Sequence, residues 1–240
     1  MKALRPRGLA VDMAVIASPH PLPCGAKSAM LSLSRLAAGA KEGELQQPNR
    51  WLVSVPRTRR LHQAGQICAE MAISMLGVDD AFWRKAVIKR GNAGEPIWPA
   101  GIVGSITHTR DFACAVAASA AAYAGIGIDS ERRIDETSCE GIAAACLTPG
   151  ERKRFLHGPM STQCITATAI FCMKEAFYKA AYPRVRRYIE FDELEITGLD
   201  PSSGYASART SALGRESECI CGRFVVSGDH VHACIALHES

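Results

Sequence analysis

Apolar positions along this chain follow two rhythms. Leu61, Ala64, Ile67, Cys68, Met71 and Met75 recur at spacings of three and four, which predicts a helix over residues 57–76 ended by Gly77. A longer pattern of the same kind predicts a helix over 161–182, stopping ahead of Pro183 because the residue before proline is pushed out of the helical region. Short helices are expected over 29–38, 142–145 and 151–156, the last opened by Thr148 or Pro149. Apolar runs bounded by turn residues predict strands at 51–55, at 102–106 and 112–118 around a Thr107-His108-Thr109 turn, and at 123–131. Further strands are expected over 194–197, 223–227 and 231–237. These periodicities give an α+β chain of one or two domains.

Bulk composition narrows the classes. The chain has 240 residues, 48% hydrophobic and 22% charged, enough to bury a sizeable core. The net charge of +4 is mild, and no dense Lys/Arg tract is interleaved with aromatics, so nucleic acid is not the expected partner. No apolar run reaches the ~18 residues of a membrane span. The N-terminus resembles a leader until Asp12 interrupts its apolar part, so a cytoplasmic protein is expected. Ten cysteines are scattered mostly singly, as suits reduced, buried thiols. Cys219, Cys221, His230 and His232 could be drawn as a zinc site, yet both pairs are spaced i, i+2 in alternating stretches, and a terminal hairpin accounts for them better.

The chemistry lies in two segments. In Gly125-Ile-Gly-Ile-Asp-Ser-Glu131 the alternation of a strand puts Gly127, Asp129 and Glu131 on one face and Ile126 and Ile128 on the other. In Phe171-Cys-Met-Lys-Glu-Ala-Phe-Tyr-Lys179 a helix puts Glu175 and Lys179 one turn apart on a shared face. Three carboxylates and a lysine together suit a hard divalent cation on a phosphate-bearing substrate.

These segments resemble the signature of the 4'-phosphopantetheinyl transferases. That signature is (V/I)-G-(V/I)-D and then, some forty-odd residues on, (F/W)-(S/C/T)-x-K-E-x-x-x-K. Gly94-Glu-Pro-Ile-Trp-Pro99, Gly104-Ser-Ile-Thr-His108, Thr148-Pro-Gly-Glu151 and Tyr182-Pro183 followed by Phe191 are similar to boxes of the branch that includes enterobactin synthetase component D. The resemblance runs from about Arg57 to the C-terminus.

The resemblance implies a 4'-phosphopantetheinyl transferase fold, two similar α/β halves related by a pseudo-twofold with the active site in the cleft between them. Residues 1–124 would form the coenzyme A half and residues 125–240 the half with the metal site and catalytic helix. It implies a monomer that moves the phosphopantetheine arm of coenzyme A to a serine of an apo carrier protein, releasing 3',5'-ADP. Carriers of siderophore, antibiotic, polyketide or fatty-acid synthesis are the implied partners. Magnesium, with manganese as a substitute, would be held by Asp129, Glu131 and Glu175. Glu175 would also serve as general base, Lys179 would neutralise or protonate the departing phosphate, and Lys174 would help at the pyrophosphate. Ser105 and His108 would contact coenzyme A phosphates, and Glu95 and Trp98 shape its pocket or pack the core. Arg184, Arg186 and Arg187 form a basic group that could dock an acidic carrier.

The chain departs from the branch where K-R-x-x-E-F-x-x-G-R is usual. It has Leu61 at the glutamate position, Gln66 at the arginine after the glycine and Glu70 at a later arginine. The resemblance implies that the two missing arginines would help hold the 3'-phosphate of coenzyme A, and Arg57, Arg59 and Arg60 are the residues available to substitute for them. The alternative is a drifted relative that binds carrier protein or nucleotide without turnover. An unrelated phosphoryl-transfer enzyme lacks support, since no Gly-x-x-x-x-Gly-Lys-Ser/Thr loop occurs.

Overall fold

In the computed structural model the described residues are 15–16, 18–33, 57–77, 88–214 and 218–238. They form two compact units, one of residues 1–18 and 24–121 and one of residues 19–23 and 122–240. The expected strand over 51–55 lies outside the described residues.

The first unit is a four-stranded antiparallel sheet in the order β1 (Val15–Ile16), β2 (Lys27–Ser32), β6 (Phe112–Ser119), β5 (Ile102–His108). The helix α1 (Arg57–Ser74) packs on it, and Gly77 follows with φ +72°, a conformation that glycine adopts without strain. Between helix and sheet lie Ala64, Cys68 and Ala72 of α1, Ala29 and Leu31 of β2 and Ala113, Ala115 and Ala117 of β6. So many small side chains let helix and sheet approach closely. A short hairpin, β3 (Lys89–Arg90) with β4 (Pro96–Ile97), completes the unit.

Two expectations fail here. The helix foreseen over 29–38 is the strand β2 as far as Ser32, because pairing with β1 and β6 and the burial of Ala29, Met30 and Leu31 outweigh local propensity, and residues 34–38 lie outside the described residues. The turn foreseen at Thr107-His108-Thr109 begins two residues later, at Thr109. His108 still pairs with Ala113, and Thr109 N–H closes the loop on the carbonyl of Phe112.

The second unit is a five-stranded antiparallel sheet. Its order is β7 (Gly125–Arg132), β11 (His230–Leu237), β10 (Glu218–Ser227), β9 (Tyr205–Thr210), β8 (Leu194–Asp200). Of these, β9 was not foreseen. Cys219, Cys221, His230 and His232 do lie on the β10–β11 hairpin. The helix α2 (Glu136–Cys146) begins at Asp135, whose carboxylate accepts from Ser138 N–H. The helix α3 (Pro149–Phe155) begins at Thr148 with a capping box to Glu151, as its sequence implies.

The long helix α4 (Met160–Val185) lies across the sheet against β7 and β11. It does not stop before Pro183 as expected but runs through it. That proline falls in the last turn, where its missing N–H costs a single bond, and the helix ends at Arg186 in the left-handed conformation. No described helix is long and apolar enough to cross a membrane.

Candidate active site

The site begins with glycines. A Cβ on Gly125 would meet the carbonyl of Ala180, and one on Gly127 would meet the carbonyl of Ala176 and the amide nitrogen of Ala180. The backbone of β7 therefore rests on the backbone of α4, with alanines opposite glycines. Directly beyond Gly127 on the same face come Asp129 and Glu131. Along α4 the residues at the matching spacing are Cys172, Glu175, Ala176, Lys179 and Ala180, one helical stripe.

Lys179 joins the two elements. Its Nζ donates to Asp129 Oδ1 at 2.6 Å and to the carbonyl of Ile128 at 3.3 Å. Burial opposes its charge, but the Asp129 carboxylate, then Glu175, hold the ammonium above its ordinary pKa. The carboxylates feel one another. Burial first, then the Asp129 charge, pushes Glu131 up to about 7, with Lys179 opposing and Glu175 adding. Glu175 is raised by burial and then by Asp129, again opposed by Lys179. The Cys172 thiol, donating to the Val231 carbonyl at 3.5 Å, is pushed well up by burial and by the Asp129 and Glu131 charges.

Among the described residues no three His, Cys, Asp or Glu groups are gathered into a ready-made cation cage. The donor set nevertheless fits a hard cation. Its members are carboxylate oxygens, and the raised Glu131 reports like charges crowded in a partly dry place, a condition that a divalent cation relieves.

Lys174 is one residue from Glu175 yet points elsewhere. Its Nζ lies 2.8 Å from Glu151 Oε2 and 2.7 Å from the carbonyl of Phe191, with the side chain 1% exposed. Thus α4 directs Glu175 and Lys179 to β7, and Lys174 to α3 and the loop before β8. Beside Glu175 a cavity of about 80 Å³ is lined by Phe177, Tyr178, Tyr188, Ile189 and Phe191 among others.

In the first unit Ser105 is buried on β5 and His108 is exposed at the strand's end. His108 has neighbours that sequence reasoning passed over. The His62 imidazole on α1 is held below its usual pKa by partial burial, then by the charges of Arg90 and His108. Arg57, Arg59 and Arg60 occupy the first turn of α1, and their side chains lie outside the described residues. Trp98 packs against the core and over Gly104, and Glu95 accepts from Ala93 N–H at 3.0 Å. Of the basic group, Arg184 and Arg186 are exposed, whereas Arg187 forms a two-bond fork with Glu193 at 2.6 and 2.8 Å.

Residues 125–235 match the 4'-phosphopantetheinyl transferase superfamily, and residues 52–118 match the 4'-phosphopantetheinyl transferase N-terminal domain. The chain is similar to the 4'-phosphopantetheinyl transferase PptT of Mycobacterium tuberculosis, with 31% identity over 70% of this chain and 71% of that protein. It is 35% identical to the 4'-phosphopantetheinyl transferase Npt of Nocardia iowensis over 60% of this chain and 61% of that one. It is 31% identical to enterobactin synthase component D of Salmonella typhi over 62% of this chain and 59% of that protein.

Proposed function

This chain belongs to the 4'-phosphopantetheinyl transferase superfamily, and from that premise we propose that it moves the 4'-phosphopantetheine arm of coenzyme A to a serine of an apo carrier protein. The observation that carries the reading is the apposition of Glu175 and Lys179 on α4 with Asp129 and Glu131 on β7.

The carrier serine hydroxyl attacks the β-phosphorus of the coenzyme A pyrophosphate. A bond forms between serine oxygen and phosphorus, the bond to the bridging oxygen breaks, and 3',5'-ADP leaves with that oxygen. Glu175 takes the serine proton. Burial first, then the Asp129 charge, raises its pKa and makes its carboxylate a stronger base than that of an exposed glutamate. Lys179, held cationic by Asp129, offsets charge on the departing phosphate and keeps its own proton. Asp129, Glu131 and Glu175 would hold magnesium, with manganese as a substitute. When bound, that cation supplies Lewis-acid stabilisation of the pyrophosphate oxygens. Lys174, committed to Glu151 and Phe191, fixes the helix in this reading.

We assign coenzyme A phosphates to Ser105, His108, His62 and Arg90, with Arg57, Arg59 and Arg60 nearby in sequence on α1. The aromatic cavity beside Glu175 suits the less polar pantetheine arm. Arg184 and Arg186 would meet an acidic carrier surface. One observation favours the alternative, a relative that binds without turnover. Gln66, where an arginine is usual, spends its amide on the carbonyl of Ile88 at 3.1 Å.

The test is a mass shift on apo carrier domains with coenzyme A and magnesium. Added phosphopantetheine that Glu175→Gln and Asp129→Ala abolish supports the reading. Absence of the shift on every carrier, with coenzyme A failing to bind, sinks it.

A further inference from the structure

Residues 19–23 precede β2 of the first unit, yet they pack as part of the second. The reason is visible at His20, which is 5% exposed. Its Nε2 lies 3.2 Å from the carbonyl oxygen of Asp129 and 2.9 Å from Ser130 Oγ. Ser130 points to the face of β7 opposite the Asp129 side chain, and its Oγ lies 2.9 Å from Nδ1 of His232, the residue directly across the ladder on β11. The His20 and His232 rings meet edge to face at 5.1 Å, and His230 stacks on His232 at 6.0 Å.

Donors and acceptors in this cluster can be placed by elimination. The Asp129 carbonyl only accepts, so the proton of a neutral His20 sits on Nε2. With Ser130 Oγ accepting from His20, its own proton is available to Nδ1 of His232 in the tautomer protonated on Nε2. Every link has a donor and an acceptor, and no charge is required. Burial first, then His232, lowers His20 to about 3, and burial lowers His232 to about 4, in keeping with neutral rings.

The strand is thereby held on both faces at consecutive peptides. Lys179 takes the carbonyl of Ile128 from the α4 side, and His20 takes the carbonyl of Asp129 from the other. Among the described residues β7 stands at the end of the sheet order, with a ladder partner on one side. The peptide between Asp129 and Ser130 sets where the Asp129 and Glu131 carboxylates project.

We propose that His20 is a positioning residue for Asp129, fixing the β7 backbone so that Asp129 and Glu131 keep the separation a divalent cation needs. This rests on the reading of Asp129 as a cation ligand. It extends the site to a part of the chain that no motif touches.

The test is a manganese titration of the full chain by electron paramagnetic resonance, without coenzyme A or carrier, beside thermal melts and carrier KM. His20→Ala should weaken manganese about tenfold, the low end for partners of metal ligands, with carrier KM unmoved. His20→Gln, whose amide can still donate to the carbonyl, should recover most of the affinity. Ser130→Ala should weaken manganese in the same direction, and it serves if His20→Ala does not fold. Wild-type affinity in a folded His20→Ala or Ser130→Ala, whatever its melting point, overturns the proposal while leaving the cation reading intact. Manganese binding that Asp129→Ala leaves unchanged, or that wild type lacks, overturns the cation reading and the proposal with it.

Discussion

Lys174 and Glu151 form an ion pair 2.8 Å long whose side chains are 1% and 0% exposed. Both Glu151 oxygens are engaged: Oε2 also accepts from Thr148 N–H at 2.7 Å, and Oε1 from Ile196 N–H at 2.7 Å. One carboxylate thus ties α3, α4 and β8 together. Removing one member of such a pair strands a buried charge, which costs about 3–5 kcal/mol. Lys174→Met should lose stability on that scale in urea unfolding. Adding Glu151→Gln should recover part of the loss, since an amide oxygen still accepts from a backbone N–H without a stranded charge. At temperatures where Lys174→Met is folded, its coenzyme A KM should stay close to wild type. A large rise would return Lys174 to the pyrophosphate.

Glu131 gives the pH prediction. Its folded pKa of about 7 lies above the ordinary 4.5, so the folded state keeps a proton that the unfolded chain releases. Its contribution to stability is full below about 4.5 and lost as pH rises through 7. The lowered His20 and His232 act oppositely below 6.5, so the comparison must be with Glu131→Gln. In cation-free buffer the wild type should lose stability relative to that variant between pH 4.5 and 8. Magnesium should flatten the difference, and its half-activating concentration should fall as pH rises. Parallel melting curves would contradict this.

Gly127→Ala tests the backbone contact. The new methyl meets the carbonyl of Ala176, which cannot rotate away, so α4 must move off β7. Overpacking of this kind typically costs about 1–3 kcal/mol. Transfer activity should fall far more than the melting point suggests, because Glu175 and Lys179 move with the helix. A folded, fully active variant would show that the contact does not set the site.

Arg184→Glu and Arg186→Glu should raise carrier KM about tenfold while leaving kcat and coenzyme A KM near wild type. Their effect should shrink as salt rises, since the charges are exposed. Arg187→Glu should instead act partly through stability, because Arg187 is forked to Glu193. Equal effects from all three would argue against a docking role.

Much of the site was legible because its signals are local. Alternation alone puts Gly127, Asp129 and Glu131 on one face, and one helical turn aligns Glu175 with Lys179. The same geometry already separated Lys174 from them, since adjacent residues on a helix diverge by about 100°, but a basic residue beside Glu175 is easily read as its helper. Glu151 was legible as the end of the Thr148-Pro-Gly-Glu151 box, and its tie to Lys174 was hidden because Lys174 is far away in sequence. His20 carried no signal, because a histidine among prolines is an ordinary loop residue until β7 and β11 are paired beside it. The segment 29–32 misled because sheet pairing overrode a local preference, and Pro183 misled because a proline in the last turn removes only one helical bond.

Where Gly125 and Gly127 lie against Ala176 and Ala180, main chain meets main chain with no side chain as a spacer. The gap between the acidic strand and the helix is thus gauged by the fixed thickness of two peptide backbones. Substitutions elsewhere in the surrounding core can swell, shrink or repack it while that gauge holds. A chain can therefore drift widely in sequence around these few positions and still deliver its carboxylates and its lysine at one constant spacing.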